Sequence, residues 1–389
     1  MLAATVRVAR DLDAAEEAVQ DAYVQALRTW GRDGVPDRPG AWLTTVARRT
    51  ALNAIRRRKA LETRLPLLIE PEDPEMPEPD TIPDDRLRLI FTCCHPALAH
   101  EAQIALTLRL VCGVATPDIA QAFLVAEATM AARLTRAKKK IAAAHIPYAV
   151  PSADALPERV DAVLTVIHLL YATGHTAHSG ENLVRDELTA RALDLARMLA
   201  LLLPADREAA GLLALLLVHH ARRATRTDAQ GRLLRLEDQD RSAWDRELIA
   251  EADRLVVAAL GAGPPGRFTL QAAIAALHAQ APAYADTDWP QILTLYDELL
   301  RVWPSPVVAL NRAVAVSMVE GPEAALGEVE ALEHDRRLAG YRYLLATKAD
   351  LLRRLGRDEE AAGAYQAALA LSDNATEQDF LAERARLHR

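Results

Sequence analysis

The 389-residue sequence predicts an all-α protein, and three observations carry that prediction. Alanine and leucine dominate, aromatic residues make up only 4%, and strand-rich stretches are scarce. Apolar residues in the successive segments recur at spacings of three and four, the period of one helix face. The last third also shows self-similarity at roughly 33–36 residues, the signature of stacked helical pairs. A hydrophobic content of 51% is ample for real cores, and the length suits two or three domains.

Residues 1–60 read as helices. Leu2, Val6 and Ala9 share one face, and Ala15, Ala18, Val19, Ala22 and Ala26 recur at helical spacing after them. Gly and Pro in "GRDGVPDRPG" (31–40) mark a loop. A third helix runs from Ala41, with Trp42, Val46, Leu52 and Ile55 expected on its apolar side. Residues 69–85, "IEPEDPEMPEPDTIPDD", hold five prolines and eight acidic residues with no basic one. Proline removes helix donors and like charges repel, which predicts an extended, flexible tether.

Residues 86–145 return to helix. In "GVATPDIAQAFLVAEATMAARLTRAKKKI" two helices meet at a short turn, with Thr116 placed to cap the first and Pro117 and Asp118 in its opening turn. Ile119, Ala120 and Phe123 are expected to face inward. Met130, Leu134, Ala137 and Ile141 form one stripe of the second helix, leaving Arg133, Arg136 and Lys140 on another face. That is a helix-turn-helix with a basic second helix.

From about 147 onward the chain reads as helical throughout. "LLRRLGRDEEAAGAYQAALAL" places Gly356, Ala361, Tyr365, Ala368 and Leu369 as tetratricopeptide helices do, and "VEGPEAALGEVEAL" repeats the pattern weakly. A turn at Asp228–Gly231 inside "TRTDAQGRLLRLEDQD" (225–240) predicts a small hairpin. The boundaries that follow are 1–65 and 86–146 for two small lobes, 66–85 for the linker, and 147–389 for the extension, with repeats near 268–372.

A net charge of −8 argues, taken alone, against nucleic acid as a partner, but the acidic tether hides positive charge in the lobes beside it. "RRTALNAIRRRK" (48–59) carries six basic residues and no acidic one, which beside a second basic helix points to phosphate neutralisation. Trp42, Thr44 and Thr45 precede it and offer stacking and hydroxyl contacts, although core packing explains Trp42 equally well. Three cysteines suit a reducing cytosol rather than a disulfide framework. No apolar stretch reaches the ~18 residues of a membrane span, and the N-terminus lacks signal-peptide features, so a soluble cytoplasmic protein is expected.

Enzyme and metal motifs fare poorly. "FTCCHPAL" (91–98) puts three donors on consecutive residues, where zinc ligands are usually two to four apart, so Cys93 and Cys94 read as core residues, with a redox thiol as the alternative. His175, His178 and Glu181 in "HTAHSGE" lie in a Gly-flanked loop. "GAGPPG" (261–266) matches G-x-G-x-x-G but follows a helix, and Pro264 and Pro265 delete two of the amides a pyrophosphate would need. No catalytic, metal or cofactor site is expected.

Three motifs in order carry a resemblance to a known family. "DAAEEAVQDAYVQAL" resembles region two of bacterial sigma factors of the extracytoplasmic-function type. "AWLTTVARRTALNAIRRR" is similar to their minus-ten segment, and the helix-turn-helix stretch of 106–141 to their region four. "DDRLRLIFTCCHPAL" and the long C-terminal part resemble a subgroup with a tetratricopeptide-like extension. The resemblance implies that Glu16, Glu17, Gln20 and Asp21 dock on RNA polymerase core. It assigns Trp42, Arg48, Arg49, Asn53, Arg56 and Arg57 to the minus-ten element of promoter DNA, and Thr129, Arg133, Arg136 and Lys138 to the minus-thirty-five element. It further implies that the extension regulates activity, with a ligand or a small DGPF-motif protein as partner. Asn53 and Asp118 stand where the family usually has Asp and Glu, and the helix ahead of Asp11 is short for the family, which questions the start codon. A helix-turn-helix regulator acting without polymerase would leave residues 11–59 unexplained, and a bare repeat scaffold would leave both basic helices so.

Overall fold

Helix boundaries in the first lobe follow from a few residues. A computed structural model describes residues 1–62, 85–123, 125–152, 154–175, 179–180 and 186–387. Helix α1 (Leu2–Ala9) stops where Arg10 turns left-handed, with φ 53°. Asp11 then caps α2 (Leu12–Asp33), its carboxylate accepting from the Ala14 amide at 2.7 Å. Gly34, at φ 82°, ends α2, and α3 (Pro39–Glu62) opens on a proline, whose missing N–H no helix start requires.

Alanine does the packing between α2 and α3. Ala15, Ala18, Ala22 and Ala26 are buried on one side, Leu43, Ala47 and Ala51 on the other. Of the apolar side expected for α3, Trp42 and Val46 do pack against this core, but Leu52 is 42% exposed, because it lies about 100° around the helix from Ala51. Small side chains let the two backbones approach closely, so the stripe that packs is the small one rather than the most hydrophobic one.

The second lobe consists of α4 (Asp85–Cys93), α5 (His100–Leu110), α6 (Thr116–Ala122) and α7 (Glu127–Ala143). Its core holds Leu89, Ile90, Phe91, Leu106 and Ile119. In α7 the buried residues are Met130, Leu134, Ala137 and Ile141, the stripe predicted from spacing. The chain beyond α7 folds back on this lobe. Thr92 donates to the Pro147 carbonyl at 3.2 Å, and the Tyr148 hydroxyl sits 2.9 Å from the Ala3 carbonyl and 2.7 Å from that of Asp85. Arg159, in α8 (Pro157–His175), donates to the Phe91 carbonyl at 3.2 Å. The predicted tether lies, but for Asp85, outside the described residues.

The chain divides into two compact units, Met1–Val166 and Ile167–Arg389. The second contains α9 (Asp186–Leu202), α10 (Arg207–Ala221), α11 (Arg246–Gly261), α12 (Arg267–Gln280), α13 (Trp289–Val302) and α14 (Pro306–Val319), then α15 (Pro322–Leu332), α16 (Arg342–Arg354), α17 (Asp358–Ala370) and α18 (Ala375–Leu387). Sequential neighbours from α9 to α18 pack on one another, and α10 also packs on α12. The result is a solenoid-like stack with a continuous core, in which Ala361, Tyr365 and Ala368 are buried as the repeat pattern requires. Gly356 takes φ 74° in the turn between α16 and α17. The hairpin expected at 225–240 reduces to one antiparallel bridge, Thr227 opposite Leu233, because the Asp228 carboxylate takes the Gln230 and Arg232 amides into a tight turn.

"GAGPPG" joins α11 to α12. Where a dinucleotide fold would hold phosphate, the Glu208 carboxylate accepts from the amides of Phe268 (2.7 Å) and Thr269 (3.1 Å). An internal anion therefore satisfies the N-terminus of α12.

Candidate nucleic-acid interface

The outer side of α2 carries the polymerase set. Glu17, Gln20 and Asp21 are exposed there, and Glu16 is half-buried. Beside them lie Tyr23 (51% exposed), Val24 (43%) and Leu27 (83%). Spacings of three and four put Gln20, Tyr23, Val24 and Leu27 on one stripe, opposite the buried alanines. Family motif matching passed over this apolar stripe. Its signal was present all the same: α2 carries two apolar periodicities, and the alanine one alone fills the lobe.

On α3, Arg48, Arg49, Asn53, Arg56 and Arg57 are exposed, and the four arginines have no acidic partner among the described residues. Arg49, Asn53 and Arg56 follow one another at four and three residues, a stripe that can track a phosphate backbone. Trp42 is half-buried and meets Trp30 edge-on at 5.5 Å within the α2–α3 core. One face packs while the remaining surface is open to a base. The Thr44 and Thr45 hydroxyls turn back to the carbonyls of Gly40 (2.7 Å) and Ala41 (2.9 Å), which leaves only their lone pairs for other contacts.

On α7, Thr129 and Arg136 are exposed, and the Arg133 guanidinium lies over the Phe123 ring at 5.9 Å. Lys138 behaves differently. Its ammonium donates to Glu16 at 2.6 Å and to Asp13 at 2.9 Å. Burial opposes its charge, but its hydrogen bonds to Glu16 and Asp13 prevail and raise its pKa. A residue of the minus-thirty-five set is thus tied to one of the polymerase set, across 122 positions of sequence. A half-exposed cluster of this kind contributes on the order of 1 kcal/mol.

The cysteines lie in the lobe core. Cys93, Cys94 and Cys112 are buried thiols, and Cys94 Sγ contacts Thr107 Oγ1 at 3.8 Å. Burial pushes the Cys93 thiol well up and that of Cys94 to about 12. The His95 ring accepts from the Ala97 amide at 3.1 Å, which fixes the turn around Pro96. His175 stacks on Tyr171, while His178 and Glu181 lie outside the described residues. Among the described residues no three His, Cys, Asp or Glu side chains come together as a metal set, and no helix is long and apolar enough to cross a membrane.

An exposed α2 face both acidic and apolar, an exposed arginine stripe and a basic helix-turn-helix are features that suit a promoter-recognition subunit of transcription. The comparisons specify it. Residues 2–61 match Sigma-70 region 2, residues 88–141 match Sigma-70 region 4, and residues 159–260 match a family of unknown function, DUF6596. An uncharacterized protein of Rhizobium meliloti (strain 1021), R00370, is 46% identical over 388 residues, which spans 98% of this chain and 91% of that one. No solved structure matches. The chain belongs to the sigma-70 family, as an extracytoplasmic-function-type sigma factor with a C-terminal helical extension. Its function is promoter-specific transcription initiation, with RNA polymerase core and promoter DNA as partners.

Proposed function

We propose that the three exposed sets divide initiation between them. Glu17, Gln20 and Asp21, with Tyr23, Val24 and Leu27, dock α2 on polymerase core. Arg48, Arg49, Asn53, Arg56, Arg57 and the open side of Trp42 hold the melted minus-ten strand. Thr129, Arg133 and Arg136 read the minus-thirty-five major groove, each good base contact contributing about 1–3 kcal/mol. Lys138 joins them once Glu16 is released, so that docking on core and reading DNA become linked events. The observation carrying this reading is that each helix buries one stripe completely and leaves the chemically suited face free.

In the same reading the C-terminal extension regulates how readily the lobes engage. Run-off transcription with purified core tests both parts. The full chain should direct promoter-specific transcripts, and Arg49→Glu with Arg56→Glu should abolish them while leaving core binding intact. Residues 1–175, which keep α8 whole, should differ from the full chain in transcript yield. Equal yields from equally helical proteins would remove the regulatory part and leave the initiation part standing.

A further inference from the structure

The unit Ile167–Arg389 contains a cavity of about 310 Å³, walled by α10, α12, α13 and α14 and lined also by Trp244. That volume falls at the small end of the range for small-molecule sites. Aliphatic side chains make up most of the wall, and Arg222, His219, His278, Gln271 and Asn311 supply its polar points.

Arg222 is the unusual member. It caps the C-terminal end of α10, is largely surrounded by protein, and lines the cavity. Among the described residues its one hydrogen bond runs to His219 Nδ1 at 3.1 Å, and its Nε has no partner. Among the described residues no acidic side chain faces it; burial, then Arg226, lowers its pKa to about 10. Enclosing a cation without a counter-charge costs several kcal/mol. The buried Arg241 shows what a structural arginine looks like here, since it donates to the carbonyls of His278 (2.5 Å) and Ala281 (2.8 Å).

The neighbouring polar groups fit the same picture. Arginine can only donate, so His219 Nδ1 accepts and its other nitrogen carries the proton. Burial holds both His219 and His278 neutral, the latter with a pKa of about 4, and His278 Nδ1 is also without a protein partner. The cavity therefore presents one positive charge, several neutral donors and acceptors, and an apolar body with an indole.

The geometry points to a binding site for a small organic monocarboxylate with an apolar body. Its carboxylate lies on the free edge of Arg222, and its body rests against Trp244 and the aliphatic wall. A single negative charge matches the single guanidinium, whereas a phosphate dianion would bring a second charge with no counterpart. Binding does not depend on the regulatory reading of the extension; an effect of binding on transcription does.

Calorimetric titration and thermal shift on the full chain with phenylacetate test the site, with phenylacetamide and inorganic phosphate as controls. Phenylacetate should bind and raise the melting temperature, and both controls should bind at least ten-fold more weakly. Arg222→Gln should abolish phenylacetate binding, and Arg222→Lys, which keeps the charge and loses the fork, should weaken it about ten-fold. Ala275→Leu, which fills the cavity and leaves Arg222 alone, should abolish it too. The site is overturned by no binding of phenylacetate at 10 mM, by equal binding of the amide or of phosphate, or by undiminished binding in folded Ala275→Leu. Transcription with and without phenylacetate then tests regulation separately.

Discussion

Arg48, Arg49, Arg56, Arg57 and Arg136 stand in water on helices packed by alanine and a few aliphatic residues. In the C-terminal unit Arg226 and Arg241 are buried and Arg222 is enclosed; Arg226 and Arg241 donate to backbone carbonyls and Arg222 to a neutral imidazole. The two units therefore place cations under opposite physics. An exposed arginine costs the fold almost nothing and interacts with whatever anion arrives, so its contribution is to binding and is screened by salt. An enclosed arginine weakens the fold until a matching anion is present, so there binding and stability move together.

The sharpest way to break this contrast is on α2. Tyr23→Ala with Leu27→Asp should lower affinity for polymerase core by at least 100-fold, measured by fluorescence anisotropy, with melting temperature unchanged because both residues face water. Next comes α7: Arg133→Ala with Arg136→Ala should weaken minus-thirty-five DNA binding by 10- to 100-fold and flatten its salt dependence, again without loss of stability.

Acid should act on the other unit. Burial, with Arg267 nearby, lowers the pKa of His168 to about 4; burial, with Arg222 and Arg241, does the same for His278. Both are neutral in the fold but protonate near 6.5 once unfolded, so the unfolded state takes up the extra protons. Stability should fall as pH drops from about 6.5 and level off below about 4, by about 2 kcal/mol per histidine at pH 5. Urea titration followed at Trp244, Trp289 and Trp303, with Trp30 and Trp42 replaced by Phe, would read it. The smallest effect concerns the Lys138 cluster. Asp13→Asn with Glu16→Gln should reduce the stability of residues 1–166 by about 1 kcal/mol or less and raise minus-thirty-five DNA affinity up to about five-fold. Unchanged affinity would separate the cluster from promoter binding.

Much of this was legible in the sequence, and the omissions share a cause. The α7 stripe was readable because Met130, Leu134 and Ile141 are both large and periodic. On α3 Trp42 and Val46 were legible as packing residues, but Leu52 was misplaced because Ala47 and Ala51 gain their importance from being small, which a search for hydrophobicity passes over. The Tyr23–Leu27 stripe was hidden by the expectation that periodic apolar residues go inside. Lys138 with Glu16, and Arg222 with its cavity, are meetings between distant segments that no local window contains. An arginine closing a leucine-rich helix reads as an ordinary cationic helix end; only the fold shows that α12 and α13 have enclosed it.

The three cysteines give the second lobe a property of a different kind. Only the thiolate reacts with a disulfide reagent, and here all three sulfurs are shielded and those of Cys93 and Cys94 are also held protonated. While the lobe stays shut, such a reagent has nothing to attack; each transient parting of α4 from α5 exposes sulfur for as long as it lasts. The rate of modification therefore counts openings, so the unaltered protein contains its own stopwatch for breathing of the helix-turn-helix lobe. Run in the presence of core polymerase or promoter DNA, that stopwatch reports how firmly each partner holds the lobe closed.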